Sequence, residues 1–267
     1  LAHRDLSRGW KEVRRIEAQI RDDILDRAEV LCCTCIGSGH ELLDGRSFPR
    51  VLIDEATQAT EPATLVPMVR GARQVVLIGD HRQLPPTVIS KRAGEGALDR
   101  SLFERLVEMG IEPLMLNTQY RMHPAISDFP NSQFYRGRLV NGVDESERPA
   151  PNGMLWPDWD APIAFLPVNG GEILSPDGAS KENPVEASWV VKILLGLLET
   201  GELSAGDIGI ITPYSGQVRA IRDSMPESLE GIEVRTVDGY QGREKEVIIF
   251  SCVRSNNNGV LGFLSDA

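Results

Sequence analysis

Apolar residues are arranged along this chain in two different patterns. Over residues 10–25 they recur every three or four positions with charged residues between them, which predicts an amphipathic helix. Shorter helices are predicted over residues 101–109 and 186–198. The other apolar residues fall mostly in short continuous runs, which predict strands at residues 30–34, 50–54, 75–79, 163–166, 208–211, 234–237 and 247–250.

The continuous apolar runs indicate a parallel sheet. Strands that are covered on both faces of a sheet carry apolar residues without alternation, and strands that alternate with helices are typical of α/β proteins. Ser215 follows one of these runs and is predicted to cap the next helix. Residues 145–160, rich in proline, acids and tryptophan, are predicted to form a surface excursion.

Net charge narrows the function classes that are open to the chain. The 267 residues carry a formal net charge of −11, which argues against nonspecific binding of nucleic acid by the whole surface. A local basic groove stays compatible with this charge, so nucleic-acid binding has to be argued from motifs. No apolar stretch approaches the ~20 residues that a membrane-spanning helix needs, so we expect no membrane partner.

Three of the four cysteines, Cys32, Cys33 and Cys35, are clustered; the fourth is Cys252. The cluster could suggest a metal or redox site, but no histidine lies at zinc-finger distance from it. We interpret all four as small apolar residues in buried strands. Reduced thiols of this kind fit an intracellular protein.

Two acids, Asp54 and Glu55, directly follow the apolar run that begins at residue 50. A strand that ends in this way is how nucleotide-hydrolysing sheets present a Mg²⁺-binding aspartate and its neighbouring glutamate. In chemical terms, Asp54 would hold Mg²⁺ and Glu55 would polarise the attacking water. An acidic pair after one strand can also be a solvated turn, so this motif alone is weak.

A second polar segment strengthens the prediction. The residues GDHRQLPP, which include Gln83, follow the apolar run at 75–79. Polar clusters at the ends of neighbouring parallel strands line the crevice where α/β sheets bind ligands. Gln83 would then sense the γ-phosphate of a nucleotide.

Two further motifs lie in the second half of the chain. In QYRMHP, Arg121 could reach a γ-phosphate as an arginine finger, and the adjacent Tyr120 could stack on a base. His123 of the same motif is interpreted as a structural residue that locks its turn. The fourth motif, VDGYQGREKE, follows the predicted strand at 234–237 with a dense polar run.

Together the strings DEATQA, GDHRQLPP, QYRMHP, ITPYSGQ, VDGYQGREKE and SCVRSN resemble the up-frameshift-like branch of superfamily 1 RNA and DNA helicases, which includes helicases of nonsense-mediated decay. They stand in the family's order and spacing over nearly the whole chain. The resemblance implies two RecA-like P-loop NTPase domains with parallel sheets, which clamp ATP and Mg²⁺ between them and bind single-stranded RNA or DNA.

The resemblance also implies roles for individual residues. It supports the roles of Asp54, Glu55 and Gln83, makes Tyr120 the adenine-stacking residue and makes Arg121 a γ-phosphate contact. Gly242 and Glu244 would face the nucleotide, with Glu244 at the ribose. Contacts with the nucleic-acid backbone are implied for Thr34, Gly37, Ser38, Pro85, Thr212, Pro213, Tyr214, Thr236 and Asp238. Small residues and hydroxyl groups suit contact with a sugar–phosphate chain, and such contacts do not discriminate between base sequences.

The sequence departs from the family at both ends: it contains neither the phosphate-loop part of the family's first domain nor the last motif, with a second arginine finger, that follows SCVRSN in the second. No G-x-x-x-x-G-K-[ST] phosphate loop occurs in it, and residues 39–47 imitate that loop with one residue too many and arginine in place of lysine. We therefore expect two incomplete domains: residues 1–119 as the C-terminal part of the first and residues 120–267 as most of the second. Residues 1–28 would be helical, as the end of an inserted subdomain.

These observations predict part of the core of an intracellular ATP-dependent helicase or translocase, nuclear or cytoplasmic, whose partners include decay or transcription-termination factors. The alternative that the protein is a helicase of the same family acting on DNA or RNA–DNA hybrids stays open. So does a truncated or degenerate helicase paralogue that acts as a non-enzymatic scaffold or nucleic-acid clamp. The missing phosphate loop favours this last alternative, whereas the presence of Asp54, Glu55, Gln83 and Arg121 disfavours it.

The isolated 267-residue chain is predicted to lack meaningful ATPase activity, because the groups that cradle the phosphates are absent from its sequence. Phosphate release would be measured with and without single-stranded RNA. Turnover that nucleic acid stimulates would contradict the prediction.

Overall fold

A computed structural model describes residues 2–229 and 231–265 of the chain. The chain divides into two compact units, Leu1–Pro113 (unit 1) and Leu114–Ala267 (unit 2). The domain boundary predicted after residue 119 lies close to this division. None of the helices in the described residues is long and apolar enough to cross a lipid bilayer.

Unit 1 contains one long helix, a small parallel sheet and three short helices. The helix predicted over residues 10–25 is confirmed within α1. Side-chain hydrogen bonds from Arg46 to Asp22 and Asp26 tie the end of this helix to the segment that follows. In chain order the elements are α1 (Ala2–Arg27), β1 (Arg50–Ile53), α2 (Glu61–Met68), β2 (Gln74–Leu77), α3 (Lys91–Glu95) and α4 (Leu102–Glu108).

Strands β1 and β2 pair in parallel, with Ile53 opposite Leu77 at the carboxyl end of the pair. The expectation that both faces of these strands are covered is wrong for the described residues. Ile53 is buried, whereas Leu52 and Val76 are exposed. Neighbouring side chains of a strand point to opposite faces, so the described part of unit 1 covers only one face of this sheet.

Two predicted strands are absent. Residues 30–34 and 163–166 lie in irregular backbone, because a strand needs a pairing partner that an apolar run alone does not supply. The predicted burial of the cysteines is also wrong: Cys32, Cys33 and Cys252 are exposed and Cys35 is half-buried. Burial raises the pKa of the Cys35 thiol, which disfavours the thiolate. In the described residues no group of three or more His, Cys, Asp or Glu side chains could hold a metal ion.

Unit 2 contains a three-stranded parallel sheet with strand order β8-β7-β9 and two small strand pairs, parallel β3–β4 and antiparallel β5–β6. In chain order its elements are β3 (Thr118–Gln119), α5 (Pro124–Phe134), β4 (Val140–Asn141), β5 (Ile173–Leu174), β6 (Lys181–Glu182), α6 (Pro184–Glu199), β7 (Ile208–Thr212), α7 (Ser215–Ser224), β8 (Glu233–Thr236), α8 (Val237–Tyr240) and β9 (Val247–Phe250).

The core of unit 2 lies between this sheet and helices α6 and α7. Its fully buried apolar side chains include Leu194, Leu197, Ile208, Ile210, Ile221 and Val234. The central strand β7 is almost entirely buried, as its apolar run predicted. Ser215 does not cap α7: it is the first helical residue, and the capping position belongs to Tyr214, whose side chain makes no capping bond.

A buried polar network joins the elements around this core. The side chain of Gln217 on α7 accepts a bond from the Asn183 backbone N–H at 2.7 Å and donates to Ser251 Oγ at 3.0 Å. Ser251 donates in turn to the Glu186 carboxylate at 2.6 Å. Glu186 also accepts the N–H of Val253, a β-branched residue held at φ 69°. Such a conformation is strained, so the network stabilises a backbone that the local sequence disfavours.

We predict that Leu194→Ala lowers the free energy of unfolding by about 2–5 kcal/mol, because it leaves a cavity in this core. The matched control is Leu195→Ala on the same helix, whose side chain is 40% exposed, whereas that of Leu194 is 0% exposed. The control substitution should lower the free energy of unfolding by less than about 1 kcal/mol. Denaturant unfolding measures both, and equal losses would contradict this description of the core.

Candidate functional site

The carboxyl ends of β1 and β2 bring two motifs together in unit 1. Beyond the last strand pair, the N–H of Ile78 donates to Ile53 O at 2.8 Å, and the N–H of Ala56 donates to Ile78 O at 2.7 Å. The N–H of Asp80 then donates to Thr57 Oγ1 at 3.3 Å. The chain segments that follow the two strands therefore lie side by side, as the parallel arrangement predicted.

Asp54 and Glu55 both have exposed side chains at this edge. The carboxylate of Asp54 accepts the N–H of Glu55 at 3.0 Å, and that of Glu55 accepts Gln58 Nε2 at 2.7 Å. Glu55 has a φ of 50°, in the left-handed region. Backbone strain of this kind costs roughly 1–3 kcal/mol, and the bonds around Asp54, Glu55 and Gln58 help to hold it.

Gln83 is exposed and held by Asp80, a residue that the sequence reasoning did not single out. Gln83 Nε2 donates to Asp80 Oδ2 at 2.9 Å, and the Arg82 N–H donates to Asp80 Oδ1 at 2.9 Å. Asp80 thus orders the turn that carries Gln83. The side-by-side approach also needs the glycine before Asp80, because a Cβ at Gly79 would lie 3.0 Å from atoms of Thr57.

The donor set at this edge fits magnesium better than a metal that needs several protein ligands. Mg²⁺ is usually bound through one or two carboxylates, with waters and substrate phosphates completing the octahedron. Asp54 supplies such a carboxylate from a rigid strand end, and Glu55 stands beside it.

In unit 2 the QYRMHP motif forms a self-supported turn. The side-chain oxygen of Gln119 accepts the N–H groups of Arg121 and Met122 at 3.0 and 2.8 Å, while its Nε2 donates to Met122 O at 2.8 Å. His123 is buried and its Nδ1 accepts the N–H of Ala125 at 3.1 Å, which caps helix α5. The structural role predicted for His123 is confirmed.

This turn exposes Tyr120 and Arg121, and it places Arg121 against the fourth motif. Arg121 Nε forms an ion pair with a carboxylate oxygen of Glu244. Glu244 follows a turn at Gly242, where a φ of 74° favours glycine. The fold therefore joins two predicted nucleotide contacts that are far apart in sequence.

The predicted nucleic-acid contacts of unit 2 lie at the carboxyl ends of β7 and β8, where Thr212 pairs with Thr236. The Thr212 and Tyr214 side chains are buried, whereas Pro213 is half-buried and Asp238 is exposed. Groups available at this edge are therefore the half-buried Pro213 and Thr236, the exposed Asp238 and the backbone. The Glu244 segment instead precedes β9, and its neighbour Lys245 donates to Gly206 O near the start of β7.

The predicted contacts of unit 1 surround a short 3₁₀ turn, Gly37–Gly39. Thr34 is exposed and its Oγ1 accepts the Gly37 N–H at 3.0 Å. Ser38 is buried and its Oγ donates to Cys35 O at 2.5 Å. Pro85, in the second motif, is exposed. The roles of all these residues toward a nucleic acid remain predictions.

Sequence reasoning missed a charged cluster around Glu172. Its carboxylate accepts bonds from Arg254 Nε at 2.7 Å, from the Ser255 N–H at 3.0 Å and from Asn256 Nδ2 at 3.1 Å, and it pairs with Lys181 at 3.1 Å. The Glu172 side chain is 8% exposed and that of Arg254 is 10% exposed. Arg254 also donates to the Tyr214 hydroxyl at 3.2 Å. The cluster thus fixes the segment after β9 against the end of β7.

Burial raises the pKa of Glu172, but the bonds from Arg254, Asn256, Lys181 and the Ser255 N–H outweigh it and lower the pKa to about 2. The motif SCVRSN held the only sequence signal for this cluster, since it contains Arg254 and Ser255. Nothing in the local sequence around Glu172 distinguishes it from a surface acid.

Fold and site together define a mixed α/β protein whose polar motifs follow the ends of parallel strands. Family models described as AAA domain match the chain over residues 2–91 (AAA_11) and over residues 98–267 (AAA_12). The chain belongs to the AAA domain family.

Curated relatives share the sequence over nearly its whole length. The Regulator of nonsense transcripts 1 homolog of Neurospora crassa is 44% identical over 268 residues, which cover 97% of this chain and 24% of the relative. ATP-dependent helicase NAM7 of Saccharomyces cerevisiae is 44% identical over 274 residues, covering 100% of this chain and 28% of the relative. ATP-dependent helicase upf1 of Schizosaccharomyces pombe is 45% identical over 264 residues, which cover 96% of this chain and 28% of the relative.

These identities confirm the resemblance to up-frameshift-like helicases that the motifs indicated. The chain spans about a quarter of the length of these relatives.

The Glu172 cluster predicts a pH dependence. The folded pKa of Glu172 lies at about 2, below its ordinary value of 4.5, so its stabilising contribution is complete above the ordinary value and is lost as pH falls toward 2. Glu172→Gln should therefore lower the thermal unfolding midpoint at pH 7, and its difference from the wild type should shrink as pH falls below 4.5. Circular dichroism measures both, with the exposed Glu199→Gln as control. A difference that does not change with pH would contradict the prediction.

Proposed function

We propose that the protein to which this chain belongs is an ATP-dependent helicase that couples nucleotide hydrolysis to movement on single-stranded RNA. The observation that carries the proposal is the pairing of the Asp54–Glu55 turn with the Asp80–Gln83 turn at the carboxyl ends of two parallel strands. Support comes from relatives of 44–45% identity that are named ATP-dependent helicases.

The two units are then portions of two RecA-like P-loop NTPase domains, both incomplete in this chain. Unit 1 corresponds to the C-terminal part of the first domain, with α1 as the end of an inserted subdomain, and unit 2 to most of the second. The parallel sheets and the greater length of the relatives support this assignment.

In unit 1, Asp54 would hold Mg²⁺, and the ion would supply positive charge that neutralises the phosphates during transfer. Glu55 is proposed to orient and polarise the attacking water, since its carboxylate stands exposed beside Asp54. Gln83 is proposed to bond the γ-phosphate, and Asp80 to hold the Gln83 amide in a fixed orientation at 2.9 Å.

In unit 2, Tyr120 is proposed to stack on adenine and Arg121 to bind the γ-phosphate, where its positive charge stabilises the transition state. Glu244 is proposed to accept from the ribose hydroxyls, beside the turn at Gly242. The Arg121–Glu244 ion pair supports a common site for these groups, because it holds an anion and a cation of two motifs together on the protein surface.

Contact with the nucleic-acid backbone is proposed at Thr34, Gly37, Ser38 and Pro85 in unit 1 and at Thr212, Pro213, Tyr214, Thr236 and Asp238 in unit 2. The burial of Thr212 and Tyr214 favours contact through backbone groups there. RNA is the proposed substrate, since relatives are named regulators of nonsense transcripts. Partners among decay or transcription-termination factors, and a nuclear or cytoplasmic location, belong to the same proposal.

In the full-length protein, the double substitution Asp54→Ala, Glu55→Ala is expected to lower ATP turnover and unwinding at least about 100-fold, because it removes the Mg²⁺ ligand and the water-orienting group. Affinity for single-stranded RNA should change less than about threefold, since neither side chain is among the groups proposed to contact the RNA. The exposed Glu112→Ala serves as control. Turnover, unwinding and RNA binding are measured on the three proteins.

Unwinding that survives the double substitution would overturn the proposal. A wild-type protein that binds RNA but hydrolyses no ATP would favour the non-enzymatic scaffold or clamp. If the protein prefers a DNA or RNA–DNA duplex over RNA, the proposed helicase activity stands and the proposed RNA substrate is wrong.

A further inference from the structure

The loop of residues 142–148, which follows strand β4, touches the exposed QYRMHP turn at several points. We call it the platform loop. It lies outside the motifs that carry the family resemblance, and its second half belongs to the segment predicted as a surface excursion. The parallel pairing of β3 with β4, Gln119 opposite Asn141, brings it to the turn.

Gly142 forms the surface against which the Tyr120 ring rests. A Cβ added at Gly142 would collide with the ring of Tyr120 and approach the Thr118 methyl group. The Gly142 N–H also donates to Gln119 O at 2.8 Å, so the backbone beneath the ring is fixed. Tyr120 remains 65% exposed. One side of the ring is thus in contact with protein while much of its surface remains open to a ligand.

Arg148 holds the backbone of the same turn from the other end of the loop. Its Nε donates to Arg121 O at 3.1 Å, and its Nη2 donates to Tyr120 O at 3.2 Å. The guanidinium group is planar and presents its donors in a fixed fork, so two neighbouring carbonyls are held in one geometry. These two carbonyls belong to the residues proposed to bind adenine and the γ-phosphate.

The platform loop is itself ordered. Asp144 and Glu147 form a reciprocal capping box, in which the Asp144 N–H donates to the Glu147 carboxylate at 2.8 Å. Arg148 Nη1 bonds the Glu147 carbonyl at 3.0 Å, which fixes the guanidinium relative to the loop. Below the loop, Asn141 Oδ1 accepts from Gln119 Nε2 and Ser127 Oγ at 2.8 and 2.7 Å. The contacts with the turn therefore come from a rigid support.

We propose that Arg148 and Gly142 are positioning residues for nucleotide binding: Arg148 orients the backbone that carries Tyr120 and Arg121, and Gly142 sets the height of the Tyr120 ring. The inference rests on the proposed function, because it assigns these residues to the nucleotide contact of that enzyme. Neither residue touches the nucleotide in this role.

The chemistry of the contacts predicts which substitutions matter. Lysine keeps the charge of Arg148 but lacks the planar fork, so it cannot hold both carbonyls in the same geometry. Alanine at Gly142 adds only one methyl group to the loop, but that group displaces the Tyr120 ring. Both changes disturb the turn without removing any group proposed to contact ATP.

The experiment compares Arg148→Lys, Arg148→Ala and Gly142→Ala in the full-length protein, with the exposed Arg138→Ala as matched control. We expect each of the three to raise KM for ATP about tenfold, equivalent to about 1.4 kcal/mol. RNA affinity and thermal unfolding midpoint should stay close to those of Arg138→Ala. The KM for ATP, kcat, RNA affinity and unfolding midpoint are measured for each protein.

A double-mutant cycle separates positioning from general destabilisation. The cycle is measured as the equilibrium Kd of ATP, because Arg121→Ala removes the charge that accelerates hydrolysis. In a Tyr120→Ala, Arg121→Ala background, Arg148→Ala and Gly142→Ala should change this Kd less than about twofold, because the groups that they orient are gone. The inference would be overturned if Arg148→Ala and Gly142→Ala had the same effect with and without Tyr120 and Arg121. It would also be overturned if the KM values of Arg148→Lys and Arg148→Ala equalled that of the control.

Failure of the inference is distinguishable from failure of the proposed function. If hydrolysis depends on Asp54 and Glu55 while the platform variants match the control, only the positioning role is wrong. If hydrolysis does not depend on Asp54 and Glu55, the proposed function fails, and the inference fails with it.

Discussion

Parallel strand pairing is the constraint on which the arrangement of this molecule depends. Parallel strands share the direction of their carboxyl ends, so segments that are remote in sequence meet at one edge of a sheet. In unit 1 this joins the acids after β1 to the turn at Asp80. In unit 2 it joins Thr212 to Thr236. Each motif is short, and its chemistry depends on a neighbour that only the sheet supplies.

The residues that support the motifs are as informative as the exposed ones. Gln119 and Asp80 both use their side-chain hydrogen bonds to hold nearby groups, and both lie close to exposed residues. These are Tyr120 and Arg121 after Gln119, and Gln83 in the turn that Asp80 orders. An exposed side chain is held in place only if its backbone is fixed, since every free rotation adds entropy that binding must remove. Arg148 extends the same principle to a loop outside the motifs.

Buried polar interactions in unit 2 have a related role away from the exposed turn. Gln217, Ser251 and Glu186 connect α7, the end of β9 and α6 through short hydrogen bonds. The Glu172–Arg254 pair joins the segment after β9 to the end of β7. Buried charges are costly unless they are paired and hydrogen-bonded, and here the Glu172 and Glu186 carboxylates each accept several hydrogen bonds. These networks fix irregular backbone that no strand or helix would hold.

The sequence alone determined the α/β class, the long amphipathic helix and the buried strand β7, and it singled out Asp54, Glu55, Gln83, Tyr120 and Arg121, whose roles stay predictions. These follow from periodicity, apolar runs and side-chain type, which are local properties. It mispredicted strands at residues 30–34 and 163–166 and buried cysteines, because pairing and burial depend on partners elsewhere in the chain. Only the tertiary structure decided that Arg121 pairs with Glu244, that Glu172 holds Arg254, and that Arg148 and Gly142 support the turn at Tyr120. Those contacts join residues whose types are ordinary and whose significance comes entirely from the fold that brings them together.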